Sequence, residues 1–224
     1  MKIVQLMSGG LDSVGQALLL SREGHEILPL YVKFRIGGGK QAKEINRTEK
    51  LSAIAGFLKP VIIKHRIRKE EYGTRDRQLV KIAADVAREK GFDAVAIATS
   101  YYPDMESVAD IDWEDMNPIL LEKAAGMKVV TLEMHKSTLL QRLNPADREL
   151  LFETTSCQLW WKKECGRCYR CAERHAAFLV VLGYDRTEYM HNPEEAKKWK
   201  YMIEQESGVA TKLTNVKEMQ VSSE

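Results

Sequence analysis

The first 22 residues constrain the fold more than any other stretch. Lys2-Ile3-Val4-Gln5-Leu6-Met7 is a short, mostly apolar run with β-branched members, and Val14 to Arg22 is rich in alanine and leucine. Between them stands Ser8-Gly9-Gly10-Leu11-Asp12-Ser13. The pattern predicts a strand, a glycine-rich turn and a helix, in that order. A helix that starts directly after such a turn leaves backbone N–H groups unpaired and carries a partial positive charge, so it suits an anion. Gly9 and Gly10 let the backbone approach a phosphate with no Cβ in the way. Ser8 and Ser13 offer hydroxyl donors, and Asp12 is placed to orient a metal ion or a backbone amide. The stretch is not a Walker A loop, because no Lys-Ser or Lys-Thr follows the glycines, and it does not match the dinucleotide fingerprint. As spacing alone, it also suits a plain structural turn.

The rest of the first 143 residues repeats the alternation. Strand-like runs at Glu26 to Phe34, from Val61, at Asp93 to Thr99 and at Lys128 to Met134 alternate with helical patterns at Gln41 to Lys59, Gln78 to Lys90 and Ile111 to Ala125. Pro60 is expected to stop the second helix. This order predicts an α/β fold, a doubly wound parallel five-stranded sheet with helices on both faces. Such sheets bind ligands outside the carboxyl ends of their strands, so the loops at 8–13, 35–40, 66–77, 100–104 and 135–137 are expected to share one rim. Arg35 to Lys40 reads as a mobile loop, since Gln41 stands where a phosphate loop needs serine or threonine. Lys64 to Arg77 holds six basic residues. The plain reading is a solvated connection; the sharper one sends Arg75 or Arg77 to a phosphate or carboxylate, which guanidinium binds bidentately. Ser137 is the expected N-cap of a helix from Thr138 to Leu143.

The alternation ends near Asn144. The expected organisation is an α/β domain over 1–143, a helical, metal-binding extension over 144–206 and a mobile polar tail over 207–224. Helices are expected around Ala172 to Leu182 and, with many charges, from Pro193 to Glu206. With 44% hydrophobic and 29% charged residues and a net charge of +2, nothing in composition calls for nucleic acid or a membrane surface. No run reaches transmembrane length and no signal-peptide pattern is present, so a soluble cytoplasmic protein is expected.

All four cysteines, Cys157, Cys165, Cys168 and Cys171, lie within 15 residues, and the other 209 positions hold none. A disulfide scaffold would spread its cysteines to staple distant segments. Four thiolates with two-residue gaps satisfy the tetrahedral preference of Zn²⁺, and a closed four-cysteine site leaves no open position for water, which favours a structural role. An iron–sulfur cluster uses the same ligands and is the rival. Lys162, Lys163, Arg167, Arg170 and Arg174 are expected to offset the charge of the metal site. His175 reads as an ordinary helix residue, His135 as a strand-end residue near the ligand rim, and Trp160 and Trp161 as packing groups.

Two motifs combine into a resemblance. Ser8-Gly9-Gly10-Leu11-Asp12-Ser13 resembles the pyrophosphate loop of the N-type ATP pyrophosphatases. Ser156-Cys157 followed by Cys165-Gly166-Arg167-Cys168-Tyr169-Arg170-Cys171, then Arg174 and Ala177-Phe178, resembles the C-terminal signature of the 7-cyano-7-deazaguanine synthase family. Tyr102-Pro103-Asp104 looks like the Tyr-Pro-Asp of that family, and Lys136 takes the place of a lysine after its fifth strand. Two departures stand near the expected substrate: Gly73-Thr74-Arg75-Asp76 replaces Gly-Arg-Asn, and Met105-Glu106 replaces a Cys-Arg continuation. The resemblance implies an adenine nucleotide alpha hydrolase-like fold and an ATP-dependent ligase that forms carbon–nitrogen bonds. It implies that Ser8 to Ser13 bind ATP, that Asp12, Ser13, Arg75, Arg77 and Lys136 serve catalysis with Mg²⁺, and that Tyr102, Pro103 and Asp104 meet the substrate. It implies ATP, ammonia and 7-carboxy-7-deazaguanine as partners in making a deazapurine precursor of the queuosine type, and it accommodates a homodimer. The alternatives are a variant that stops at the amide, a tRNA-thiolating ATP pyrophosphatase, which usually needs a spare cysteine or an iron–sulfur cluster, and a non-catalytic ATP- and zinc-binding module.

Overall fold

Five strands alternate with helices along the first part of the chain: β1 (Lys2–Leu6), α1 (Leu11–Arg22), β2 (Glu26–Phe34), α2 (Gly38–Ala55), β3 (Val61–His65), α3 (Arg75–Lys90), β4 (Ala94–Ile97), α4 (Pro118–Ala125) and β5 (Lys128–Thr131). The computed structural model describes residues 1–34, 38–66, 75–98, 118–132, 134–157 and 163–208. They fall into two compact units, Met1–Glu133 and Met134–Glu224.

In the first unit every strand pairing is parallel, and the order β3-β2-β1-β4-β5 puts β1 at the centre. The expected doubly wound five-stranded sheet is therefore present. Alternation along the strands supplies both faces. Val4, Leu6, Leu30, Val95 and Ile97 form one buried cluster with Val80, Ala83, Ala87 and Leu121, which belong to α3 and α4. Ile3, Ile27, Ala94 and Ala96 form another with Ala17 and Leu20 of α1. Each leucine or valine buried this way contributes about 1.5–3 kcal/mol of transfer free energy. The central strand also buries Gln5 completely. Its amide donates to Gln16 Oε1 at 3.0 Å, and the Gln16 amide donates to the Val130 carbonyl at 3.2 Å, so α1 is pinned across the sheet to β5.

The order reverses beside β1, with β2 and β3 to one side and β4 and β5 to the other. This is the switch point at which open α/β sheets leave a crevice, and the glycine turn leaves β1 there. Helix boundaries differ from expectation in ways the backbone explains. Gly38 already starts α2, so the second half of the glycine-rich segment is helix; residues 35–37 lie outside the described set. The same helix ends at Ala55, before Pro60, because Gly56 adopts φ +72°, the left-handed conformation that terminates helices. Residues 111–117 lie outside the described set, and α4 is seen from Pro118.

The second unit contains α5 (Lys136–Arg142), α6 (Pro145–Leu151), α7 (Tyr169–Leu182), a 3₁₀ turn at Pro193–Glu195 and a helical stretch over 199–208. Ser137 is not the N-cap of α5; His135 is. The Ser137 N–H is instead satisfied by Glu206 Oε2 at 2.8 Å, far along the chain. α6 was not anticipated, though its start is a plain capping signal: Pro145 at the first helical position and an Asn144 side chain that accepts the Asp147 N–H at 2.9 Å. The charged helix expected from Pro193 is broken, since Ala196 is extended at ψ 140°. Among the described residues no helix is long and apolar enough to cross a membrane.

Candidate active site and metal centre

The turn after β1 is held in place by its own serines and by α2. Gly9 takes φ +71°, which lets the chain reverse, and Gly10 caps α1 with no side-chain hydrogen bond. The first helical bond is Val14 N–H to the Gly10 carbonyl at 3.0 Å, so Leu11, Asp12 and Ser13 present the N–H groups of a helix start. Ser13 Oγ accepts the Ser8 N–H at 3.2 Å and donates to the Gly10 carbonyl at 3.1 Å. Its hydroxyl thus braces the loop, where the sequence reading offered it to a phosphate. Thr48 of α2, fully buried, donates its hydroxyl to the Met7 carbonyl at 3.3 Å. A Cβ on Gly9 would stand 3.0 Å from Arg47 Cβ, so α2 crowds the turn and only glycine fits. Arg47 and Thr48 escaped the sequence reading; a threonine on the apolar face of an amphipathic helix is the signal that could have found the second.

Leu11 anchors the helix start in the core at 1% exposure, while Asp12 is half-buried in the first turn. Arg75 opens α3 and is exposed, with its guanidinium 5.8 Å from the centre of the Phe34 ring at the end of β2. That contact puts Arg75 at the carboxyl edge of the sheet, the edge from which the glycine turn also emerges. Arg77 follows in the first turn of α3, half-buried. Tyr102, Pro103 and Asp104 lie outside the described residues, as do Gly73, Thr74, Trp160, Trp161 and Lys162.

In the second unit the four cysteine sulfurs all lie within 4.8 Å of one another. Sulfurs around a tetrahedral ion with bonds of about 2.3 Å stand roughly 3.8 Å apart. Cys165 Sγ and Cys168 Sγ are 3.9 and 3.4 Å from Cys171 Sγ, which fits a metal ion. The hydrogen bond from Cys168, and then burial, hold the Cys171 thiol far above the ordinary cysteine range, so sulfurs this close need a cation before they ionise together. Cys168 caps α7 and donates its N–H to Cys165 Sγ at 3.3 Å, the turn that lets a two-residue gap close on one ion.

The charges around this centre differ from expectation. Lys163 pairs with Glu188 at 2.7 Å and Arg170 with Glu173 at 3.3 Å. Arg174, completely buried, donates to Thr187 Oγ1, Thr154 Oγ1 and the Leu151 carbonyl at 3.0, 2.7 and 3.0 Å, tying α7 to the end of α6. These cations serve the fold. An acid, Glu164, also stands at the sulfurs: its Oε2 lies 3.6 Å from Cys171 Sγ and accepts the Cys157 N–H at 2.7 Å. Glu164 thereby holds the first cysteine beside the other three. His175 is more than a helix residue: its Nδ1 meets Asp185 Oδ2 at 2.9 Å, and Tyr189 donates to the same oxygen at 2.7 Å.

Gly166 has φ +75°, and a Cβ there would fall 1.8 Å from the His191 carbonyl oxygen. Gly166→Ala is expected to destabilise this unit by about 3 kcal/mol or more, read as a lower melting temperature. A wild-type melting curve would mean that the segment around His191 yields without cost.

Lys136 lies in the first turn of α5 with its side chain 1% exposed, and its Nζ is 3.2 Å from Glu173 Oε2. Glu206 is as deeply buried, and burial above all pushes its carboxyl up to about 7, with the nearby Glu173 adding to the shift and Ser137 and Lys136 opposing it. Unfolded, the group ionises near 4.5. Between those values the folded chain keeps a proton that the unfolded chain has released. The associated stability is therefore full below about 4.5 and is lost as pH rises through about 7, on the order of 3 kcal/mol in all. Melting temperature should fall more steeply with rising pH in the wild type than in Glu206→Gln; parallel profiles would contradict this.

No family model matches the chain. A 7-cyano-7-deazaguanine synthase of Sulfurisphaera tokodaii is 28% identical over 213 residues, covering 85% of this chain and 99% of that protein. The enzyme of the same name from Sinorhizobium fredii is 28% identical over 225 residues, covering 87% and 94%. That of Brucella ovis is 26% identical over 231 residues, covering 89% and 97%. The resemblance carried by the two motifs thus runs along most of the chain. Among solved structures, a 4-thiouridine synthetase in complex with RNA and ATP shares the fold, with a TM-score of 0.50 and 14% identity over 92% of this chain and 53% of that one.

Proposed function

We propose that this chain, an ATP-dependent enzyme of the pyrophosphate-loop type, converts 7-carboxy-7-deazaguanine to 7-cyano-7-deazaguanine with ammonia. The observation that carries the reading is the union, in one chain, of the Ser8 to Ser13 turn at the sheet's switch point and a four-cysteine centre whose spacing resembles the signature of those synthases. A substrate carboxylate oxygen attacks the α-phosphorus of ATP, and the bond to the β-phosphate oxygen breaks to release pyrophosphate. Ammonia then displaces AMP from the acyl-adenylate to give the amide. The amide oxygen then attacks the α-phosphorus of a second ATP, again releasing pyrophosphate, and breakage of the C–O bond with loss of AMP and of both amide protons leaves the nitrile.

The parts assigned to each step follow from charge. The N–H groups of Leu11, Asp12 and Ser13 and the helix dipole hold the departing pyrophosphate. Asp12, a carboxylate at the same helix start, would repel that anion unless Mg²⁺ bridged them, so it is assigned to the magnesium that accompanies ATP. Arg75, Arg77 and Lys136 are assigned to the charge that develops on the phosphates, and Tyr102, Pro103 and Asp104 to the base. Zn²⁺ is the metal assigned to the four cysteines, where it supplies structure and no chemistry. The test is incubation of metal-loaded protein with 7-carboxy-7-deazaguanine, ammonia, ATP and Mg²⁺, read by mass spectrometry. The amide and then the nitrile are expected; a folded protein that makes neither would overturn the reading.

A further inference from the structure

Three separate segments of the second unit converge on the start of α5. From α7 comes Glu173, completely buried, with Oε2 3.2 Å from Lys136 Nζ and 3.3 Å from Arg170 Nη1 and Oε1 3.4 Å from the Tyr169 hydroxyl. From the stretch over 199–208 comes Glu206, 1% exposed, whose Oε2 accepts the Ser137 N–H. From α5 itself comes Lys136, whose long side chain is almost wholly out of solvent. Glu173 falls inside the cysteine signature at a position that the signature leaves open, and Glu206 lies outside it.

Such a cluster is a poor device for stability alone. A buried ion pair loses about as much in desolvation as it gains in attraction, and apolar residues of the same volume would hold the helices together as well. What it does supply is one fixed position for an ammonium group that would otherwise sample many rotamers. Glu173 sits two residues beyond Cys171, on the helix that Cys168 caps, so the cysteine centre and the acid that pairs with the lysine share one rigid element.

We propose that Glu173, supported by Glu206, is a positioning residue that fixes the Lys136 ammonium, so that the helix built on the metal centre sets the geometry of this lysine. The proposal rests on the reading above in which Lys136 acts on the phosphates of ATP. It specifies something further: removing Glu173 disables the reaction only through Lys136.

Two measurements test it. The first is amine labelling of the metal-loaded protein, read residue by residue by mass spectrometry. Lys136 is expected to label at least tenfold more slowly than the exposed Lys197 and Lys200 in the wild type, and at least tenfold faster in Glu173→Gln than in the wild type. Should Glu173→Gln fail to fold, Glu206→Ala keeps the ion pair but loses the Ser137 acceptor, and its Lys136 labelling is expected to rise severalfold. Unchanged labelling in the folded variant would overturn the proposal. The second is a double-mutant cycle on carboxylate-dependent pyrophosphate release. Glu173→Gln is expected to lower kcat at least tenfold with little change in the KM of ATP. In a Lys136→Met background the same substitution should cost nothing more. An equal loss in both backgrounds, or a Lys136→Met protein with wild-type kcat, would also overturn it. If the wild type releases no pyrophosphate at all, the functional reading fails by itself, and the labelling still decides whether Glu173 positions the lysine.

Discussion

Cys171→Ser is expected to lose the metal and, with it, the folded second unit. Cys171 is completely buried, with its sulfur 3.4 Å from that of Cys168 and 3.9 Å from that of Cys165. It also lies in the first turn of α7, so an ion held by the four sulfurs would tie the residues around Cys157 and Cys165 to that helix. Structural zinc contributes an apparent 10–16 kcal/mol to small domains of this kind, comparable to the whole stability of an ordinary protein. Serine offers an oxygen that ionises far less readily and a shorter reach. Metal analysis should therefore find less than about a tenth of an ion per chain in the variant, and hydrogen exchange should find α7 unprotected. Full metal content with unchanged melting would show that the sulfurs are only packed together. Iron and acid-labile sulfide in the native protein would instead favour a cluster over zinc.

Asp12→Ala is expected to abolish pyrophosphate release while leaving the fold intact. Asp12 is half-buried and sits in the first turn of α1, where its charge favours the helix by about 0.3–1 kcal/mol, so its loss should lower the melting temperature only slightly. Its assigned task concerns a metal-bound phosphate, where removing one electrostatic contact costs a factor of about 10²–10³. A pyrophosphate-coupled assay and a melting curve on the same sample separate the two effects. Near-normal release would remove Asp12 from the reaction; collapse of the fold would make it a structural cap.

Much of the first unit was legible because its signals are local. The strands β1 and β2 and the helix between them follow from apolar runs and a glycine pair, and a parallel sheet follows from their repetition. The cysteine cluster was legible for the same reason, since four ligands of one type within a short span have few other uses. What escaped were side chains whose partners are remote in sequence. Glu173 and Glu206 read as ordinary charged helix residues, yet both are buried because Lys136 and the Ser137 N–H meet them from a distant helix. Gln5 and Gln16 interrupt apolar stretches, and only their tertiary contacts show that their amides link α1 to the edge of the sheet. Arg174 and Lys163 read in sequence as counter-charges for the metal, whereas Arg174 binds carbonyl and hydroxyl groups of the fold and Lys163 a surface acid. Composition fixes how many charges a segment holds, and only tertiary contacts decide which of them face one another.

The central claim is that the turn at Ser8 to Ser13 splits ATP in order to activate a carboxylate. Exchange of labelled pyrophosphate into ATP, measured without ammonia, isolates that half-reaction. With 7-carboxy-7-deazaguanine and Mg²⁺ present, exchange is expected in the native, metal-loaded protein and should vanish in Asp12→Ala. No exchange from a folded, metal-loaded protein, or exchange at the same rate without the carboxylate, would contradict the claim.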